Sequence, residues 1–194
     1  MSKLGFKLRI VPADIDESRL PGEHPRDLVC RLAHEKALHV YDLEGVGKDG
    51  YLLAADTIVW MADEALGKPA DDDEAAAMLA ELSGRTHHVS TGVCIIYQGD
   101  GGERQVASFV ETTDVTFYEL TKGQIDAYVR SGECSDKAGA YAIQGTGRLL
   151  VKGIEGDYDN VVGLPTCRVV REMARLSAAG EDNLVERLLE ERNA

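Results

Sequence analysis

Asp56 stands inside an apolar run, Tyr51-Leu-Leu-Ala-Ala-Asp56-Thr57-Ile-Val-Trp60, and Lys68 follows in Gly67-Lys68-Pro69 after a short acidic loop. A carboxylate in a buried strand must be satisfied by a metal, a cation or hydrogen bonds, because an isolated charge in apolar surroundings is very costly. Function explains such a residue more simply than packing does. A second lysine, Lys36, lies near the end of an upstream helical pattern. Clustered lysines, or divalent cations held by carboxylates, are what an acidic protein needs to bind a small anion. Both ingredients occur around Lys36, Asp56 and Lys68.

The elements that must position these residues alternate between helix and strand. The pattern predicts a short strand over Leu8–Val11, then a carboxylate-rich turn, Pro12-Ala-Asp14-Ile-Asp16-Glu17. Pro25 opens a helix in which Leu28, Val29, Leu32, Ala33, Ala37 and Val40 recur at helical spacing. The Asp56 strand follows, and Asp71-Asp72-Asp73 starts a helix through Leu82 that Gly84 ends. His88–Tyr97 and Gln105–Tyr118, separated by Gln98-Gly-Asp-Gly-Gly102, read as an antiparallel hairpin. Thr121 caps a helix stopped by Gly132, a strand covers Leu149–Ile154, and Pro165 introduces a helix from Arg168 to Leu176. Beyond Gly180 the tail reads as an amphipathic helix with Leu184, Leu188 and Leu189 on one face.

A chain of 194 residues with 44% hydrophobic content supports one sizeable core, and one domain is the default. Its net charge of −13 argues against a nonspecific nucleic-acid partner, which would require phosphate-neutralising Lys and Arg. Cys30, Cys94, Cys134 and Cys167 are far apart and read as reduced structural thiols. The first residues lack the apolar core of a signal peptide and no stretch approaches a membrane span, so the reading is cytoplasmic, with no membrane partner. Gly45-Val-Gly47-Lys48-Asp-Gly50 matches a dinucleotide-binding pattern by letter, but it follows a helix and precedes a strand, so it reads as a turn. His87 and His88 are consecutive strand residues facing opposite sides and do not chelate one ion.

Six segments occur in a fixed order: Arg31-Leu-Ala-His-Glu35-Lys36-Ala37, Ala55-Asp56-Thr57-Ile-Val, Gly67-Lys68-Pro69, Leu82-Ser83-Gly84-Arg85-Thr86-His87, Ser135-Asp136-Lys137-Ala-Gly139-Ala-Tyr141-Ala-Ile-Gln144-Gly145 and Asn160-Val-Val-Gly163-Leu164-Pro165. Together they resemble the Maf family of nucleoside triphosphate pyrophosphatases, from about Leu4 to the helix after Pro165. The resemblance implies an α/β fold with a mixed sheet, flanking helices and two lobes around a central cleft. The expected organisation is a pyrophosphatase domain over 1–176 and a helical tail over 177–194.

The implied activity is hydrolysis between the α and β phosphates, giving a monophosphate and pyrophosphate with Mg2+ or Mn2+ as cofactor. Asp56 matches the family's essential strand aspartate, acting as general base or by holding the metal, and both roles stay open. Glu17 matches an acidic residue that could share the metal, while Lys36, Lys68 and Lys137 are the implied phosphate-facing cations. Thr57 and Gln144 are implied in base recognition, since one amide offers a donor and an acceptor to a pyrimidine edge. These motifs go with the dTTP- and UTP-directed branch, although Ala142 stands where Gly is more usual. Family members open with a strand and a Ser-Pro-Arg-Arg type loop. This chain starts at Met1-Ser-Lys-Leu4-Gly5-Phe6, within the segment that follows: either the true start lies upstream, or the first strand, helix and phosphate loop are lost, and the loss would leave an open sheet edge and weakened phosphate binding. A nucleotide-binding regulator with little turnover and a purine-directed (ITP or XTP) pyrophosphatase are the alternatives, and a homodimer is the expected assembly.

Overall fold

The computed structural model of the chain describes residues 1–48, 50–99, 102–177 and 181–190. Pro25 in the first turn and His24, whose Nδ1 accepts from the Arg26 amide, start helix α1 (Pro25–Glu44), and Gly45 at positive φ ends it. α1 buries Leu28, Val29, Leu32, Ala33 and Ala37, the face that the spacing predicts. Strand β1 (Gly50–Met61) carries Asp56 and turns through Ala62 and Asp63, both at positive φ, into β2 (Glu64–Leu66). That tight hairpin stands where the sequence suggested only an acidic loop, and two successive left-handed residues give it the twist that antiparallel strands require. Asp71 accepts from the Glu74 amide and caps α2 (Asp72–Leu82).

The long hairpin pairs β3 (Thr86–Gln98) with β4 (Arg104–Phe117). Its tip at 100 and 101, like Asp49 of the Gly45–Gly50 turn, lies outside the described residues. Thr121 and Gln124 form a capping box on α3 (Lys122–Arg130). The remaining elements are β5 (Val151–Glu155), α4 (Tyr158–Val162), α5 (Thr166–Leu176) and α6 (Glu181–Glu190). The five strands run in the order β2-β1-β3-β4-β5, and each pairing is antiparallel. The expected α/β class is therefore present, as one antiparallel sheet flanked by helices.

Strand alternation sorts the chain onto two faces. Leu52, Ala54, Cys94 and Ile96 meet Ala33 and Ala37 of α1 on one face. On the other, Tyr51, Leu53, Ala55, Val93 and Ile95 pack under α5 and α6, while Val59, Met61, Val89, Val115 and Phe117 pack under α2 and α3. Thr57 sits between those two apolar clusters. The α1 face approaches very closely at Gly92, where a Cβ would lie 2.1 Å from the Val29 carbonyl oxygen.

Two expectations are corrected. Leu8–Val11 forms no strand: it finds no backbone partner in the sheet, and Leu8 and Ile10 are 56% and 88% exposed. In the tail, Leu184 is buried and Leu188 packs beside it, but Leu189 points to solvent; 178–180 and 191–194 lie outside the described residues. The outer edge of β1 over Gly50–Ile58 has no strand partner among the described residues. None of the helices described is long and apolar enough to cross a membrane. All four cysteines are free.

Gly92→Ala should lower stability by about 3 kcal/mol, because helix or strand must shift to admit the methyl group. Gly153→Ala, where a Cβ meets nothing within 4 Å, should cost less than about 1 kcal/mol in the same urea titration. His87 supplies a pH test. It is fully buried, and burial pushes its imidazole down to about 4, with His88 adding to the depression and Asp114 opposing it. The folded state thus favours the neutral ring, and its stabilisation is complete above the ordinary value near 6.5 and is lost as pH falls toward 4. Between pH 7 and 4.5 wild type should lose about 2 kcal/mol more stability than His87→Phe, measured by urea denaturation of both at both pH values.

Candidate active site

Asp56 pairs across the sheet with Gly92, so its side chain emerges beside the point where α1 touches β3. Lys36 lies two helical turns beyond Val29 on α1, and that spacing returns it to the same face. Its ammonium donates to Asp56 Oδ1 at 2.7 Å and contacts Glu17 Oε1 at 2.8 Å. The Lys36 and Asp56 side chains are each only 17% exposed, and Glu17 is half open to solvent. Burial acts to lower the Lys36 pKa, but the hydrogen bonds that the ammonium donates to Asp56 and Glu17 outweigh it and raise the pKa on balance. Lys36 is therefore a fixed cation, and both carboxylates converge on one point.

A cavity of about 440 Å³ opens beside this triad, lined by Lys36, Arg9, Glu44 and the unpaired edge of β1 from Gly50 to Ala55. Arg9 is ion-paired with Glu44 at its far end. Glu17 is carried on an irregular segment held by side chains. Arg31 donates to Glu23 Oε1 and Oε2 at 2.7 and 2.9 Å, to Glu35 at 3.1 Å and to the Ser18 carbonyl at 2.9 Å. The Arg31 hydrogen bond holds the Glu23 carboxyl down to about 2, against the opposing effect of burial. Arg19 adds bonds to the carbonyls of Glu23 and Asp63. The sequence reading assigned no role to Arg31, Glu23 or Arg9. The i,i+4 spacing of Arg31 and Glu35 was visible, but no periodicity marks Glu23.

The second group of expected residues gathers elsewhere. Lys68 is two residues past Leu66, which pairs with Val59, so the antiparallel register carries it back along β1 toward Thr57. The Gly139 amide donates to the Gly67 carbonyl at 3.0 Å, tying the Lys68 loop to the loop of Lys137. Lys137 bonds Asp136 at 2.7 Å, and this contact, with the charge of Lys68 adding to it, holds the Asp136 carboxyl below its ordinary range. Gln144 is exposed at the end of the same loop, just before a short turn of 3-10 helix (Gly145–Leu149).

Thr57 is not brought to Lys36 and Asp56. Adjacent strand residues face opposite ways, and its hydroxyl donates to the Gly163 carbonyl at 3.2 Å while meeting Thr91 Oγ1 at 2.9 Å. The Asn160-Val-Val-Gly163 motif thereby acts behind the strand. Asn160, fully buried, donates to the Val89 carbonyl and to Thr113 Oγ1, which fixes α4 against the sheet.

Two clustered carboxylates with a lysine, and a separate loop pair rich in lysine, suit a small polyanion bound near an activated water. The Maf-like protein family model matches residues 1–176. A protein of Syntrophomonas wolfei subsp. wolfei named dTTP/UTP pyrophosphatase is 47% identical over 178 residues, covering 90% of this chain and 89% of its own. A Halalkalibacterium halodurans protein of the same name is 44% identical, with 89% and 87% covered. A Geobacillus sp. protein, again so named, is 47% identical with 88% of each chain covered. The motif order, the antiparallel α/β fold and these matches place the chain in the Maf-like family.

Proposed function

We propose that this chain hydrolyses dTTP and UTP to the monophosphate and pyrophosphate. Two observations support the reading: relatives of that name align over about nine-tenths of the chain, and Lys36 draws Asp56 and Glu17 to one point beside an open cavity. In this reading water attacks the α-phosphorus, the bond from the α-phosphorus to the bridging oxygen breaks, and pyrophosphate leaves with that oxygen. Asp56 takes the proton of the attacking water and passes it to solvent. The ammonium of Lys36 anchors the Asp56 carboxylate through Oδ1. Among the described contacts Lys36 engages only Oδ1, leaving Oδ2 to accept from the water. Lys68 and Lys137 offer point charges to the leaving phosphates, and Gln144 is the residue for reading the base edge.

Two carboxylates converging on one cation suit Mg2+ or Mn2+, hard ions that complete their shells with water and substrate phosphates. Among the described residues no cluster of three or more His, Cys, Asp or Glu side chains surrounds such a site. Asp56 and Glu17 would therefore be the protein's own ligands. The bound ion would lower the pKa of water and offset charge on the phosphates. A cytoplasmic location and a homodimer go with the same reading. Four free thiols fit a reducing compartment, and the unpaired β1 edge offers a surface for self-association.

The test is pyrophosphate release from a panel of nucleoside triphosphates with Mg2+ or Mn2+. dTTP and UTP should be cleaved in preference to ITP and XTP, and Asp56→Asn should lose at least about 100-fold in kcat/KM while retaining its fold. Preference for ITP would redirect the reading to purines. Saturable nucleotide binding with no release would make the chain a binding protein.

A further inference from the structure

His87 and Tyr141 belong to two of the six motifs, yet neither reaches the cavity. His87 is fully buried and Tyr141 is 5% exposed. Their side chains meet instead: His87 Nε2 and the Tyr141 hydroxyl are 2.8 Å apart. The rings pack edge-on at 5.3 Å between centroids, and Phe117 closes a three-ring cluster at 5.0 Å from His87 and 4.8 Å from Tyr141. An all-apolar cluster would fill this volume without polar cost. Among the described residues His87 Nδ1 has no partner, so an incompletely satisfied imidazole is buried where a phenyl ring would pack. What the imidazole adds is direction: one hydrogen bond from rigid β3 to the middle of a loop.

That loop carries the lysine and the amide of the second group. Lys137 lies four residues before Tyr141 and Gln144 three after it. The Gly139 amide holds the Gly67 carbonyl beside Lys68, and a Cβ on Gly139 would come within 2.9 Å of Val59. Ala140 is at φ +57, a strained conformation for a residue with a side chain. The Ala142 amide donates to the Tyr128 hydroxyl at 3.1 Å, and the Thr146 amide to Glu133 at 2.9 Å. Displacing Tyr141 therefore displaces Lys137 and Gln144 together, and with them the Gly139–Gly67 link to Lys68. We propose that the His87–Tyr141 hydrogen bond is a positioning contact that sets the Lys68, Lys137 and Gln144 group in its binding geometry. The part that concerns catalysis rests on the pyrophosphatase reading, whereas the part that concerns loop placement does not.

Tyr141→Phe deletes the hydroxyl and keeps the ring packing. With the thermal midpoint within a few degrees of wild type, KM for dTTP should rise about fivefold and the preference for dTTP over dCTP should shrink, the expected size for losing one hydrogen bond's worth of placement. A purely structural role would lower the active fraction, and hence kcat, with KM unchanged. His87→Gln, whose amide can still meet the phenol, should keep KM near wild type, while His87→Phe should reproduce Tyr141→Phe. Unchanged KM in both Tyr141→Phe and His87→Phe overturns the proposal. Should Tyr141→Phe fail to fold, the two His87 variants decide the question by the same criterion. Hydrogen exchange separates this inference from the functional reading. The Gly139 amide should exchange at least about tenfold faster in Tyr141→Phe than in wild type, with β3 amides unaffected, whether or not any triphosphate is cleaved. Equal protection at Gly139 overturns the proposal even in an active enzyme. Accelerated exchange in a protein that cleaves nothing leaves the contact standing and sinks the pyrophosphatase reading alone.

Discussion

The rest of the molecule depends on the missing side chain of Gly92. The Val29 carbonyl occupies the space a Cβ would need, so α1 lies directly on the sheet backbone at the rung shared with Asp56. A helix seated that closely cannot slide or roll without losing contact. Two turns later its register delivers Lys36 to Asp56. The small residues Ala33 and Ala37 continue the close approach along the helix, which is why alanine rather than leucine lines that seam. A packing constraint in the core thus becomes a charge constraint at the surface.

The charge constraint then organises a stretch of chain with no regular structure. Residues 6 to 20 form neither helix nor strand, and they are placed by Arg9 on Glu44, Lys36 on Glu17, Arg31 on the Ser18 carbonyl, and Arg19 on the carbonyls of Glu23 and Asp63. Arg31 suits this task because its planar fork spans Glu23, Glu35 and a carbonyl at once. The segment is held by cations on α1 and by its own Arg9 and Arg19, so the half of the site that Glu17 supplies is only as well placed as those contacts.

Much of this was legible in the sequence. The amphipathic pattern gave α1, the β-branched runs gave the long hairpin, and Thr121 marked the start of α3. Asp56 stood out as a charge in an apolar strand, and Lys36 proved to be its partner. Leu8–Val11 misled because alternation describes a strand only when a neighbouring strand accepts it, and nothing local reveals that absence. Thr57 lies apart from Asp56 because adjacency in sequence is opposition in a strand: the next residue after Asp56 necessarily looks the other way, toward Gly163. The β2 hairpin was hidden because its turn residues, Ala62 and Asp63, are not the glycine-containing pairs that announce such turns.

The unpaired edge of β1 has a colloidal consequence. Over Tyr51–Ile58 the outward edge of β1 has no strand partner among the described residues, so it is a template for another chain's backbone, and neither proline nor lysine interrupts it. Opposing any such pairing is a long-range force: two copies that each carry a net charge of −13 repel as they approach. That protection is screened within roughly 10 Å at 0.1 M salt and vanishes toward the isoelectric point near 4.8. The force that opposes association therefore belongs to the whole acidic surface, while the edge that invites it is confined to one strand beside the cavity.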